Sequence, residues 1–243
     1  MKKYEIERRV EYYEADTTQK LSLPMILNLA VLASKNQSDE LGVGQDYHLA
    51  MGLGWVILQY EVAIKRRPKV GELMRIQTYA AEYNPFFVRR PFVFFDESGD
   101  EIIKVSSIWT MLDIKNRRMA RLPQEIVDKY DAQRVKQVPR IPNPIKITDD
   151  DTIIENDYHV RYLDIDANQH VNNSKYFEWM QDVLSPEYLM THDVTHINLK
   201  FENEIRLGHT ILSQVVLGDG ETRHRIMMGD TVSAEAEFKW REL

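Results

Sequence analysis

Three side chains of different chemistry occupy alternate positions in the segment Asp166-Ala167-Asn168-Gln169-His170. In extended backbone, residues i, i+2 and i+4 project to one side, so a carboxylate, an amide and an imidazole would meet there. A helix is expected to begin just beyond them, near Asn173 or Ser174. Backbone N–H groups at a helix N-terminus favour developing negative charge. Such a set suits proton transfer and the stabilisation of an oxyanion at a carbonyl carbon. Taken singly, each residue is ordinary. Asp and Asn before a helix are usually turn formers and caps, and a lone His in that place is commonly structural.

The chain itself supplies a comparison. Glu11-Tyr-Tyr-Glu-Ala-Asp16-Thr-Thr18-Gln-Lys20-Leu-Ser22 parallels Arg161-Tyr-Leu-Asp-Ile-Asp166-Ala-Asn168-Gln-His170-Val-Asn172 at a constant offset of 150 (166 less 16). The offset pairs Tyr12 with Tyr162, Asp16 with Asp166 and Gln19 with Gln169. The copies differ where chemistry would need them to. Thr18 stands opposite Asn168 and Lys20 opposite His170, so only the second copy is equipped for acid–base work.

The elements around the two segments repeat as well. Ser22 is a good N-cap with Pro24 in the following turn, and the helix they predict runs through Met25, Ile26, Leu27, Leu29, Ala30, Val31 and Leu32 before Gly42. It is apolar nearly all round, which predicts burial on most sides. The second helix carries Tyr176, Trp179, Met180, Val183 and Leu184 at helical spacing before Pro186. Each helix precedes four segments of strand-like alternation, at about 56–65, 72–82, 86–96 and 101–114, then at about 195–206, 209–217, 222–228 and 231–241. A helix buried on most sides needs a curved sheet wrapped around it. The fold expected is therefore α+β, a tandem (double) hotdog in which each unit is a long buried helix wrapped by a curved antiparallel sheet. The units are an N-terminal one at 1–129 and a C-terminal, chemically equipped one at 158–243. Between them, 130–157 contains Pro139, Pro142, Pro144 and the run Asp149-Asp150-Asp151, and reads as a linker.

Composition narrows the chemistry. The chain has 243 residues, a net charge of −7 and no cysteine, which excludes disulfides, a thiol nucleophile and cysteine-held metal. The acidic balance argues against nucleic acid. Local basic runs, at Lys65–Lys69, Arg89-Arg90 and Arg117-Arg118 with Arg121, are expected either as solvated strand ends or as a rim for an acidic partner. Neither a phosphate-binding glycine loop nor a Gly-x-Ser-x-Gly elbow is present, so no cofactor is expected. His192 and His196 are four apart, but Pro186 and the strand-like sequence after Thr195 argue against a metal helix. Met1-Lys2-Lys3-Tyr4-Glu5 lacks the apolar run of a signal, and 21–33 is too short to span a bilayer, so a cytoplasmic protein is expected.

The stretch Asp166-Ala167-Asn168-Gln169-His170-Val171-Asn172-Asn173 resembles the signature loop of the acyl-ACP thioesterases of plants and bacteria. The resemblance covers nearly the whole chain and includes the unequipped first copy. It implies a further catalytic acid within Leu199-Lys200-Phe201-Glu202-Asn203-Glu204-Ile205-Arg206, at Glu204. Simple alternation puts Glu204 on one face with Glu202 and Arg206, so a bulge would be needed to redirect it, and Glu202 is the fallback. Plant members carry a cysteine after this glutamate, where this chain has Ile205. Water must then be the nucleophile, with Glu204 as general base, Asn168 holding water or carbonyl, His170 polarising the carbonyl and Asp166 orienting its neighbours. His170 as base with Glu204 orienting it is the open alternative.

The resemblance further implies acyl carrier protein as partner, its phosphopantetheine arm near 166–173 with contacts to Asn172 and Asn173, and its acidic surface on a basic rim. The acyl chain would lie in the first unit against Met25, Leu29 and Trp55. Two units in one chain satisfy the usual pairing of hotdog sheets, and a further homodimer is compatible with this. Rival readings are an acyl-CoA thioesterase on the same fold, a non-catalytic acyl-carrier or lipid-binding module, and, more weakly, a hotdog dehydratase.

Overall fold

Alternation and capping set the elements of the first unit. The structure, a computed structural model, describes residues 1–166 and 170–243. Strand β1 (Tyr4–Arg9) leads through a single 3-10 turn into α1 (Leu23–Glu40), with Ser22 at its N-cap and Pro24 in its first turn. The helix ends in a Schellman turn: Gly42, at φ 72°, donates to Asp39 O and Val43 donates to Ser38 O. A glycine is favoured there because the turn needs the left-handed region. Next come α2 (Gln45–Ala50), β2 (Leu53–Ile64), β3 (Leu73–Thr78), β4 (Glu82–Tyr83), β5 (Val88–Phe95), β6 (Glu101–Asp113), β7 (Arg118–Ala120), α3 (Gln124–Tyr130) and β8 (Gln133–Arg134).

The second unit repeats this with β9 (Ile154–His159), α4 (Asn173–Asp182), α5 (Pro186–Thr191), β10 (His192–Phe201), β11 (Thr210–Leu217), β12 (Glu221–Met228) and β13 (Thr231–Glu242). Its helix is shorter than the sequence suggests. Val183 and Leu184 fall beyond α4, and Pro186 opens a new helix that Ser185 caps by accepting from Tyr188 N. Strand β9 begins inside the expected linker. The stretch from 135 to 153, which has neither helix nor strand, is nonetheless anchored, with Val138, Ile141 and Ile147 all buried.

All the strands join in one sheet, whose main path runs β1-β3-β5-β6-β2-β10-β13-β12-β11-β9. The order is the same read outward from the β2–β10 seam in either direction, as tandem hotdog units require. At the seam the antiparallel register pairs Glu61 with Asn198 and Val62 with Ile197. Helix α1 packs on β1, β3 and α4, so the two helices meet inside the sheet. Ile26, Leu27, Leu29, Ala30 and Ala33 are buried along α1; a fully buried Leu or Ile contributes on the order of 1.5–3 kcal/mol. Among the described residues, no helix is long and apolar enough to cross a membrane.

Candidate active site

The segment ahead of α4 is folded by its own backbone. Asp166 N donates to His170 O at 2.8 Å, and His170 N reaches Asp166 Oδ1 at 3.4 Å, so the ends of the chemically equipped stretch are tied together. Asn168 lies outside the described residues. Beyond His170, Val171 N donates to Ile205 O at 3.1 Å and Asn172 N donates to Asp164 O at 2.8 Å. Asp164 is itself buried and held by Arg161. Asn172 then caps α4, its Oδ1 accepting from Ser174 N at 3.0 Å.

The bond from Val171 to Ile205 brings Glu204 alongside. Glu204 Oε2 lies 2.8 Å from His170 Nε2. Glu204 Oε1 accepts from Arg206 Nη2 at 2.6 Å and Nε at 3.0 Å, and is also paired with Arg117. The alternation argument fails here because β10 ends at Phe201. Glu202 N and Asn203 N both turn to Ser233 O, and the irregular backbone that follows frees Glu204 to face His170. Glu202, the fallback, pairs with Lys200 at 2.6 Å instead. Burial pushes the His170 imidazole below its ordinary value; Asp166 opposes this, and the Arg117 and Arg206 cations add to it. The carboxylate that touches the ring is itself paired with two guanidinium groups.

His170 stands on the wall of a mostly apolar cavity of about 510 Å³. Asp166, His170, Asn172, Asn173 and Ser174 line it from the second unit, while Leu27, Val31, Trp55, Val56, Ile57 and Trp109 line it from the first. Trp55 lies in that wall, edge-on to Trp109 at 6.3 Å. Met25 and Leu29 are not in the cavity wall. Leu29 is buried in the core, and Met25 packs against that core with its sulfur near Asn28. Two residues from Leu27 is some 200° around a helix, so Leu29 points away from the face that carries Leu27, Val31, Lys35 and Ser38, whereas Met25, one turn before Asn28, lies at the edge of that face.

The first copy shares the backbone of this site and differs in its side chains. Its backbone bonds match: Asp16 N to Lys20 O, Leu21 N to Pro68 O, and Ser22 N to Glu14 O. Leu21 corresponds to Val171, so Pro68 corresponds to Ile205, an offset of 137 (205 less 68) that also relates Gly71 to Gly208. Glu204 therefore has Arg67 as its counterpart. Arg67 is buried, paired with Asp16 and bonded to Asp193 at 3.0 Å, while Lys20 bonds Asp193 at 2.9 Å. Burial would raise the Asp193 carboxyl, but hydrogen bonds and charge from Lys20 and Arg67 hold it below its ordinary value. The cavity beside this copy is about 100 Å³. A cation, Arg67, stands where the second copy has Glu204, and it is tied into an ion-pair network with Asp16, Lys20 and Asp193.

The basic runs are partly used inside the fold. Arg67 and Arg90 are buried, the latter bonded to Gln37 Oε1 at 2.7 Å over the Tyr130 ring, and Arg89 grips Glu82. Arg117 and Arg206 are the site residues that sequence reasoning missed. Arg206 was visible two places after Glu204, whereas nothing in the local pattern links Arg117 to the second unit.

Comparison with known proteins agrees with the architecture. Residues 1–130 match the acyl-ACP thioesterase N-terminal domain and residues 147–242 the acyl-ACP thioesterase C-terminal domain. A crystal structure from Lactobacillus plantarum, provisionally described as an oleoyl thioesterase, is 37% identical with a TM-score of 0.97, covering 100% of this chain and 97% of that one. The 12:0-ACP thioesterase of Umbellularia californica superposes with a TM-score of 0.88 at 20% identity, over 99% of this chain and 98% of its own, a likeness of fold. A chloroplastic acyl-[acyl-carrier-protein] hydrolase of Cuphea viscosissima is 26% identical over 208 residues, 81% of this chain and 50% of the relative. The chain spans about half the length of that curated relative.

Proposed function

Because the chain belongs to the acyl-ACP thioesterase family, we propose that it hydrolyses the thioester of a fatty acyl chain carried on acyl carrier protein, releasing free fatty acid and the carrier's thiol. The observation that carries this reading is the 2.8 Å contact of His170 Nε2 with Glu204 Oε2, with His170 on the wall of a mostly apolar cavity built by both units.

With its Nε2 proton donated to Glu204, a neutral His170 leaves Nδ1 to take a proton from water. Glu204, occupied by His170 and two arginines, orients the imidazole and steadies its charged form. The water oxygen bonds to the carbonyl carbon, and the oxyanion forms beside the start of α4, where the helix end favours negative charge. Asn168 is the side chain to hold that oxygen or the water. Asp166 holds the loop, since its counterpart Asp16 does the same in a copy without His. The C–S bond then breaks, and the sulfur takes the proton back from His170. A thiolate is a good leaving group, so this step asks little of the protein. The acyl chain lies along the α1 face of the cavity. The phosphopantetheine arm leaves past Asn172 and Asn173, and the carrier's acidic surface meets the exposed guanidiniums outside. The carrier is a soluble protein, and the reading places the reaction in the cytoplasm.

Release of free thiol from a panel of acyl-ACPs and the matching acyl-CoAs tests the reading. Wild type should turn over acyl-ACP faster than acyl-CoA. His170→Ala and Glu204→Ala should each lose about a hundredfold or more in kcat/KM, while Glu202→Ala keeps nearly all of it. Binding of acyl-ACP without turnover would instead mark a carrier-binding module.

A further inference from the structure

Arg117 is supplied to the second unit's site by the first unit. It sits in the turn between β6 and β7, where Asp113 accepts from Asn116 N and Asn116 Nδ2, each at 2.8 Å, and Arg117 N donates to Asp113 O at 2.8 Å. The turn holds Arg117 at φ 51°, a region that residues with a side chain occupy sparingly and that here carries neither glycine nor asparagine. Strain of this kind, when the surroundings enforce it, points to a use for the side chain. Its guanidinium reaches Glu204 Oε1, the oxygen already held by Arg206, leaving Oε2 to His170.

Resting on the thioesterase reading above, we infer that Arg117 is a positioning residue for hydrolysis: it clamps Glu204 from across the seam, so that the carboxylate presents Oε2 to His170. Arg206, two residues from Glu204, and Arg117, from a separate element, both hold Oε1, so two guanidiniums anchor that oxygen and leave Oε2 to His170. The consequence for charge follows from the groups around His170. Asp166 favours the protonated imidazole, and Arg117 and Arg206 disfavour it. Glu204, in contact with the ring, would favour protonation more strongly once a guanidinium were withdrawn from it. The other titratable groups on the cavity wall are Lys35, His48, Arg90 and Tyr130. The catalytic constellation thus spans both units, and the first contributes more than a groove for the acyl chain.

The test compares wild type with Arg117→Ala, Arg117→Lys and, as control, Arg75→Ala, whose guanidinium pairs with Glu5 of β1 at 3.0 Å. Thiol release from an acyl-ACP that wild type hydrolyses is measured from pH 5 to 9, with kcat and KM resolved separately. Arg117→Ala should lower kcat about tenfold or more with KM changed less than about threefold, and should move the acidic limb of the profile to higher pH. Arg117→Lys should restore much of kcat and return the limb toward its wild-type position. Arg75→Ala should alter neither. Unchanged kcat and an unmoved limb in Arg117→Ala would overturn the inference. So would a rise confined to KM, which would assign Arg117 to carrier docking. Failure of wild type itself on every acyl-ACP would be a different result, sinking the thioesterase reading on which this one rests.

Discussion

On the proposed mechanism His170 takes a proton from water only while its imidazole is neutral, so the forces on that ring would set the pH range of hydrolysis. An unperturbed histidine is half protonated near about pH 6.5. Here burial, Arg117 and Arg206 push the ring below that value against the pull of Asp166. A lowered pKa means that the neutral form persists to lower pH. The expected result is an acidic limb of kcat/KM whose midpoint lies below about 6.5. A pH–rate profile on acyl-ACP checks this, and an acidic limb centred at or above the ordinary value would show that the imidazole is not held as described. The same reasoning separates the two carboxylates. Asp166 accepts from the loop's own backbone at His170 N, and Glu204 touches the ring while paired with Arg117 and Arg206.

At the scale of elements, α1 carries the substrate question. Its cavity face holds Leu27, Val31 and Ser34, and its core face holds Leu29. Val31→Trp should fill part of the cavity and move preference toward shorter acyl chains, read as the ratio of kcat/KM between a short and a long acyl-ACP. Leu29→Ala should leave that ratio alone and cost about 2–5 kcal/mol of stability, read by urea unfolding. The contrast shows where sequence stops being informative. Spacing and caps locate α1, but a helix apolar on nearly every side has no phase that tells cavity from core, and so Met25 and Leu29 were expected in the wrong wall. The loop at 166–173 was legible because the chain holds an unequipped copy of it. Glu204 was reached by resemblance only, since its orientation toward His170 depends on where β10 leaves the ladder with β13. Arg117 was not legible, because a contact across the seam leaves no local periodicity. The counterpart Arg67 had a trace in the basic run at Lys65–Lys69, whose meaning needed the backbone bonds that align it with Glu204.

The whole molecule turns on the β2–β10 seam. Without its partner, each of these strands would be a long exposed sheet edge carrying Val62 or Ile197 and Leu199, all buried in the assembled fold. The chain between the units reinforces the joint. Pro142 O accepts from Gln59 Nε2 at 2.7 Å and from Asn198 Nδ2 at 2.8 Å, and Gln59 Nε2 also donates to Asn198 Oδ1 at 2.8 Å. One residue from each seam strand is thus tied to one carbonyl of the connecting segment, and both side chains are buried. Because the cavity and the clamp on Glu204 also draw on both units, unfolding one would dismantle the other's site. Wild type should therefore unfold in urea as a single transition, with loss of activity following loss of structure. Asn198→Leu removes two of the three hydrogen bonds and should lower stability by about 1–3 kcal/mol without splitting that transition. A second transition, with the C-terminal unit persisting after the first has melted, would show that the seam joins two independent folds and that the connecting segment only tethers them.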